Sequence, residues 1–225
     1  MKLMVTRRMT PAAEHALSAR FDTTIMDRTD GLTEAEAAAA MAEYDAVMPT
    51  LGDRFSAGAF RPGLRCRLLA NFGAGYNHID VEAAAHAGIA VTNTPDAVTE
   101  ATADIALTLI LMTARRAGEG ERLLRRGEWT GWQPTQLLGR HVAGCTVGII
   151  GMGRIGKAIA RRCHFGFGMQ VLFHNRSVVS ALDFPARQVE GLDELLTQSD
   201  FAVVAVPGGA GTTRRITASN GRVRA

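Results

Sequence analysis

The stretch Gly151-Met152-Gly153-Arg154-Ile155-Gly156 decides the fold of this chain. The apolar run 146–150 before it predicts a β-strand, and the segment 154–165, which it opens, predicts a helix. A G-x-G-x-x-G pattern alone is weak evidence, but a preceding strand and a following helix are the context that a dinucleotide-binding turn requires. The alternative is a tight strand-to-helix turn with no ligand.

Each glycine of this turn has a separate physical role. Gly151 permits the tight turn, Gly153 lets the backbone approach a pyrophosphate, and Gly156 lets the helix pack closely on the strand. The start of the helix, with Arg154 and Ile155, offers backbone N–H groups and a partial positive charge to phosphates. We therefore predict that all five residues bind a dinucleotide.

The choice of nucleotide depends on the residues about 20 positions further on. An NAD site usually places an acid there to bind the ribose hydroxyls. This chain has Asn175, Arg176 and Ser177 instead, with no acid nearby. Because a guanidinium matches phosphate geometry and keeps its charge, these residues favour NADP(H) over NAD(H). The alternative is a solvated arginine in a loop.

Short β-rich runs alternate with helical segments along the chain, which predicts an α/β fold with parallel sheets covered on both faces. The second half contains about three predicted strands, and the unbroken apolar run 201–206 predicts a fully buried one. A helix predicted from Thr99 to about Ala117 is apolar nearly all round, which is typical of a buried helix. Trp129 and Trp132 lie in a linker, where we expect them to pack on something, for example a second subunit.

Composition excludes several other classes of protein. The net charge of +3 comes from the last 25 residues, which hold four arginines and no acid, so no basic surface for nucleic acid is predicted. No apolar run is long enough to cross a membrane or to act as a signal peptide. Cys66, Cys145 and Cys163 are isolated, which predicts no metal site and fits the cytoplasm.

Three stretches of the sequence together resemble the D-isomer-specific 2-hydroxyacid dehydrogenases, and among them the glyoxylate/hydroxypyruvate reductases most. They are residues 71–80, residues 92–104, and residues 127–177, which include the glycine turn. The resemblance implies two lobes: a flavodoxin-like N-terminal lobe, whose part here is residues 1–94, and a doubly wound Rossmann domain, residues 95–225, incomplete at its C-terminus. It also implies reduction of a small 2-keto acid to the 2-hydroxy acid.

The same resemblance assigns further roles to individual residues. Backbone N–H groups of Ala74 and Gly75 would hold the substrate carboxylate, since small residues let successive amides face an anion in a nest. Thr102 would lie near the nicotinamide, and Val206 and Pro207 beside the adenosine. The segment from Trp129 to Trp132 would take part in a homodimer. Without the resemblance, the Ala74–Gly75 loop is a tight turn and Thr102 an ordinary helix residue.

The three catalytic residues of the family, an Arg, a Glu and a His, have no counterpart in this sequence. Arg222 follows an asparagine but comes too early and follows no apolar strand, so we do not assign the arginine's role to it. We therefore expect a C-terminally truncated chain. Two alternatives to the family's enzymatic role stay open: a catalytically inactive NAD(P)-binding fragment or pseudoenzyme, and a binding protein whose oligomerisation a nucleotide regulates.

Overall fold

The computed structural model of the chain describes residues 1–209, 212 and 216. The chain forms two compact units, Met1–Ala97 and Val98–Ala225. The sequence interpretation placed the boundary between residues 94 and 95, just before the helix that opens the second unit.

The first unit alternates strands and helices, as the sequence pattern predicts. Its strands are β1 (Lys2–Val5), β2 (Asp22–Ile25), β3 (Ala46–Met48), β4 (Leu68–Ala70) and β5 (Ala90–Thr92). Its helices are α1 (Pro11–Ser18), α2 (Glu34–Glu43) and α3 (Val81–His86), with one turn of 3-10 helix at Ala57–Ala59. All neighbouring strands pair in parallel, in the order β2-β1-β3-β4-β5. This is the strand order of a flavodoxin-like sheet.

Local signals in the sequence explain where helices of this unit begin. Thr10 caps α1, and its side chain accepts a hydrogen bond from the Ala13 backbone. Thr33 and Glu36 form a reciprocal capping box at the start of α2. Between α2 and the sheet lies a core that includes Met41, Val47 and other fully buried side chains.

Among its described residues, the second unit contains four helices and one sheet. Its helices are α4 (Thr99–Ala114), α5 (Ala117–Arg125), α6 (Arg154–Phe167) and α7 (Leu192–Gln198), and its strands are β6 (Thr146–Ile150), β7 (Gln170–His174), β8 (Arg187–Gln188) and β9 (Phe201–Val204). The strands pair in parallel in the order β8-β7-β6-β9. The chain therefore moves outward from β6 to β8 and then returns to the other side of β6. The carboxyl ends of β6 and β9 flank this reversal, where open α/β sheets bind their ligands.

Two expectations for this sheet were wrong. It has four described strands rather than three, because β8 is only two residues long and leaves no apolar period in the sequence. Residues 201–206 do not form a fully buried strand. Only Phe201–Val204 is strand, it is the last strand of the described sheet, and Ala202 and Val204 are exposed. An apolar run reports the preference of its side chains for burial, but not whether a neighbouring strand covers them.

Helix α4 also departs from the expectation of a buried helix. Ala103, Ile110 and Ala114 are buried in the core of the second unit. Three large apolar side chains on α4 are nevertheless exposed: Ile105 to 61%, Leu109 to 58% and Met112 to 40%. The helix is apolar nearly all round, yet the residues that the structure describes cover only one of its faces. No helix among the described residues is long and apolar enough to cross a membrane.

Candidate functional site

A cleft opens at the carboxyl edge of the second sheet, where its strand order reverses. It is lined by Gly151, Gly153, His174, Asn175, Arg176, Ala205, Val206, Pro207 and Thr212. Six of these nine residues are ones that the sequence analysis assigned to nucleotide binding. Segments that follow three different strands thus meet at one place, because the strands are parallel and end at the same edge.

Two glycines of the turn are required by the packing of the turn itself. Gly151 has a φ of +97°, and a Cβ there would lie 2.7 Å from the Ala205 carbonyl oxygen. A Cβ on Gly156 would lie 2.1 Å from the Gly151 carbonyl oxygen, closer than any real contact allows. Both glycines therefore let α6 and β9 approach the end of β6 closely.

Gly153 differs from these two glycines, because nothing within 4 Å would meet a Cβ at this position. It is the N-cap residue of the 14-residue helix α6, with a φ of −80° that any residue can adopt. The helix has no acidic residue in its first turn. The first N–H groups of a helix lack intrahelical partners and carry partial positive charge. The open space beside Gly153 therefore fits an anionic group such as a pyrophosphate.

The loop after β7 is held by its own amide side chains. Asn175 Oδ1 accepts a 3.3 Å hydrogen bond from the Met152 backbone N–H, which ties this loop to the glycine turn. Its Nδ2 donates to the carbonyl oxygen and the hydroxyl of Ser177, at 3.1 and 3.2 Å. Asn175 and Ser177 thus bind each other. From the sequence, both side chains were expected to bind the 2′-phosphate of NADP(H).

Arg176, between them, is exposed and has no ion pair or hydrogen bond with any residue that the structure describes. None of the nine residues that line the cleft is acidic. A 2′-phosphate would therefore meet the Arg176 guanidinium and no carboxylate among the described residues that line the cleft.

The remaining predicted residues lie around the cleft rather than along it. Arg154 is exposed in the first turn of α6, whereas Ile155 packs against the core of the unit. Thr102 is exposed in the first turn of α4 and does not line the cleft. Arg222 lies outside the described residues.

Three lining residues carry no signal that the sequence analysis used for nucleotide binding. His174, whose Nδ1 lies 3.3 Å from the Val189 carbonyl oxygen, is the last residue of β7. Ala205 directly follows β9, and Thr212 lies a few residues further on. His174 and Ala205 lie at the carboxyl ends of β7 and β9, the two strands that pair with β6, and this position is a signal that could have found them.

In the first unit, the Ala74–Gly75 loop follows β4 at the carboxyl edge of its sheet. Phe72 pairs with Thr50 in an isolated bridge, so the loop begins beside the segment that follows β3. Neither Ala74 nor its two glycine neighbours has a φ in the left-handed region. The loop is therefore not a nest built on left-handed glycines, and a different device must orient its amides.

Burial shifts the pKa values of three titratable side chains, those of Cys66, His78 and Cys163. His78, three residues after Gly75, has both ring nitrogens buried without a hydrogen-bond partner in the described chain. Its pKa lies below 6.5 because burial disfavours the charged ring, and the charge of Asp53 opposes this only in part. Burial raises the pKa of the Cys163 thiol to about 11, so this cysteine stays a thiol at neutral pH.

Among the residues that the structure describes, there is neither a metal site nor a packing partner for the two tryptophan side chains. Within the described ranges, no group of three His, Cys, Asp or Glu side chains could hold a metal ion. The Trp129 side chain is 50% exposed and that of Trp132 is 82% exposed. The expected packing partner of these two rings is thus not found within the described chain.

The sequence of this chain is similar to the sequences of known proteins. Residues 107–220 match the family described as D-isomer specific 2-hydroxyacid dehydrogenase, NAD binding domain. A glyoxylate reductase of Thermococcus onnurineus is 37% identical over 211 residues, which are 92% of this chain and 63% of that protein. A glyoxylate reductase of Thermococcus kodakarensis is 45% identical over 170 residues, 73% of this chain and 51% of that protein. This chain thus spans about half to two thirds of the length of these relatives.

Solved structures of the same family resemble the chain over both of its units. A D-isomer specific 2-hydroxyacid dehydrogenase of Polaromonas sp. JS6 66 is 40% identical and superposes with a TM-score of 0.83, over 93% of this chain and 66% of that one. A glyoxylate reductase of Paecilomyes thermophila is 32% identical, with a TM-score of 0.78, over 96% of this chain and 67% of that one. The glycine turn, the reversal of strand order at the cleft and these matches lead to one conclusion: the chain belongs to the D-isomer specific 2-hydroxyacid dehydrogenase family.

Proposed function

We propose that the second unit binds a nicotinamide dinucleotide at the cleft, with NADP(H) preferred over NAD(H). The observation that carries this proposal is the convergence on one cleft of the glycine turn, the basic loop after β7 and the end of β9. Backbone N–H groups at the start of α6 would hold the pyrophosphate beside Gly153. Arg176 would hold the 2′-phosphate, which an acidic residue at this place would repel.

The substrate in this proposal is glyoxylate, hydroxypyruvate or a similar small 2-keto acid. The relatives named glyoxylate reductases support this class of substrate. The bound nicotinamide would supply a hydride for the keto carbon. The residues of this chain that we assign to the substrate are Ala74 and Gly75, whose backbone N–H groups would bind its carboxylate. Thr102 stays an assignment to the nicotinamide side by resemblance alone.

We assign no residue of this sequence to proton donation or to the arginine that orients a keto acid. General acid catalysis typically contributes 10²–10⁴-fold to a rate, and positioning of the substrate adds more. We therefore expect the 225-residue chain to bind NADPH but not to reduce glyoxylate measurably. The test is NADPH oxidation at 340 nm with saturating glyoxylate or hydroxypyruvate, with NADPH binding measured on the same sample. Turnover at a rate normal for an oxidoreductase would refute the expectation and start a search for substitute catalytic residues with His78 and Arg222.

We further propose that the protein forms a homodimer in the cytoplasm. The dimer is supported by the exposed apolar side chains of α4 and by the exposed Trp129 and Trp132, because exposed apolar patches often mark protein–protein interfaces. Three cysteines without disulfides support the location. If the nucleotide instead regulates assembly, light scattering with and without NADPH will show a change in molar mass.

A further inference from the structure

We propose that Asn71 and Asn93 are positioning residues that turn the Ala74 and Gly75 N–H groups outward, ready for a small carboxylate. The proposal rests on the proposed function, because that function assigns the substrate carboxylate to these two amides. It adds the device that orients them.

All three carbonyl groups of residues 73–75 are bound by donors of the first unit. Asn71 Nδ2 donates to the Gly73 and Gly75 carbonyl oxygens, both at 3.0 Å. Asn93 Nδ2 donates to the Ala74 carbonyl oxygen at 2.8 Å. The Thr94 backbone N–H adds a second bond to the Gly73 oxygen, at 3.0 Å.

The geometry of a trans peptide converts these bonds into an orientation of the amides. Within one planar peptide unit, the C=O group and the following N–H group point in opposite directions. The bond to the Gly73 carbonyl therefore directs the Ala74 N–H away from Asn71. The bond to the Ala74 carbonyl likewise directs the Gly75 N–H away from Asn93. Neither N–H group donates to an acceptor among the residues that the structure describes.

Asn71 is itself firmly placed. Asn71 is only 2% exposed, and its backbone N–H donates to the Thr92 carbonyl oxygen at 2.9 Å, which extends the pairing of β4 with β5. Its Oδ1 is buried and has no partner in the described chain. A buried acceptor without a donor is unfavourable. The contribution of this side chain thus lies in its Nδ2, which holds two carbonyls of the loop at once.

The loop then presents two adjacent backbone donors and no side-chain charge of its own. Such a pair suits the two oxygens of a small carboxylate. Packing does not require glycine at positions 73 and 75, because a Cβ added to Gly73 or Gly75 would make only ordinary contacts at 3.5 Å or more. The orientation of the amides is fixed by the asparagine side chains that bind the loop carbonyls, and not by a left-handed backbone conformation.

The experiment uses the full chain labelled with ¹⁵N, in wild-type form and as Asn71→Ala and Asn93→Ala. Asn77→Ala is the matched control, since Asn77 is an exposed asparagine of the same loop with no hydrogen bond to any described residue. Pyruvate is titrated as the probe while the Ala74 and Gly75 amide signals are followed. We expect both variants to bind pyruvate at least tenfold more weakly than wild type and the control to match wild type. Wild-type affinity in Asn71→Ala and Asn93→Ala would overturn the proposal, as would an equal loss in Asn77→Ala.

A second readout separates this proposal from the proposed function. If wild type binds no 2-keto acid, the substrate assignment fails, and the positioning role is judged on the free protein. We then expect lower order parameters at Ala74 and Gly75 in both variants, but not in Asn77→Ala. Unchanged order parameters would overturn the positioning role. Should Asn71→Ala unfold the first unit, Asn93→Ala decides, because Asn93 is only partly buried and holds one carbonyl.

Discussion

Arg176 carries the proposed preference for NADP(H), so its removal should change the discrimination between the two nucleotides. Hydrogen bonds to charged groups contribute roughly 1.5–3 kcal/mol, which is about 10- to 150-fold in affinity. Arg176→Ala should therefore weaken NADPH binding by that factor and leave NADH, which has no 2′-phosphate, nearly unchanged. Calorimetric titration of both nucleotides measures this.

The matched control for that titration is Arg161→Ala, an exposed arginine on α6 that does not line the cleft. It should leave both affinities at the wild-type values. Equal weakening of NADH and NADPH in Arg176→Ala would mean that Arg176 is a structural residue, and the NADP(H) preference would fail.

His78 should make the first unit less stable in mild acid. Its folded pKa lies below 6.5, so the unfolded chain binds the proton more readily than the folded one. The stability that the neutral ring contributes is complete above about pH 6.5 and is lost as the pH falls through the folded pKa. The melting temperature should fall between pH 7.5 and pH 5, and His78→Leu should flatten this fall.

The same substitution at the exposed His86 is the control, and it should leave the pH response in place. If His78→Leu loses stability in acid as steeply as wild type, the fall in melting temperature is due to other titratable groups.

Helix α4 shows that the character of an element can be predicted while its surroundings cannot. Its length was predicted only roughly, because the helix ends at Ala114 and not at about Ala117. The exposure of its large apolar side chains depends on what covers them. The short strand β8 was missed for a related reason, since two residues are too few to form a pattern. The strand and the helix on either side of the glycine turn were predicted correctly, because backbone geometry, unlike coverage, is encoded within a few neighbouring residues.

The exposed face of α4 should lie at the centre of the homodimer interface. Leu109→Asp places a charge at the middle of this face and should convert the dimer to a monomer, because burying an unpaired charge is costly. Light scattering after gel filtration measures the molar mass. The control is Thr108→Asp at the neighbouring exposed position, where the threonine hydroxyl donates to the Asp104 carbonyl oxygen. The dimer interface is assigned to this face if the molar mass changes in Leu109→Asp and not in Thr108→Asp. A wild-type chain that is monomeric at all concentrations would contradict the dimer.

Across the whole molecule, the sequence predicts the class of fold and most of the residues that line the cleft. Six lining residues were predicted because they lie in sequence motifs at the ends of predicted strands. Thr212 was not predicted, because it lies beyond β9 in a segment without such a motif. The roles of Asn175 and Asn71 could not be read from the sequence, because they depend on which carbonyl or amide the fold brings to each side chain. Hydrogen-bond partners distant in sequence are a property of the folded chain.

The central claim is that this chain binds a nicotinamide dinucleotide with its pyrophosphate beside Gly153. Gly153→Val tests it cleanly, since an added side chain meets nothing in the free protein and the backbone there suits any residue. Gly166→Val, in the same helix and equally free of contacts, is the control. Titration of NADPH should give one site per chain in wild type and in the control. Gly153→Val should keep the wild-type melting temperature but lose binding of NADPH and NADH alike. Unchanged binding in Gly153→Val, or no binding in wild type, would contradict the account.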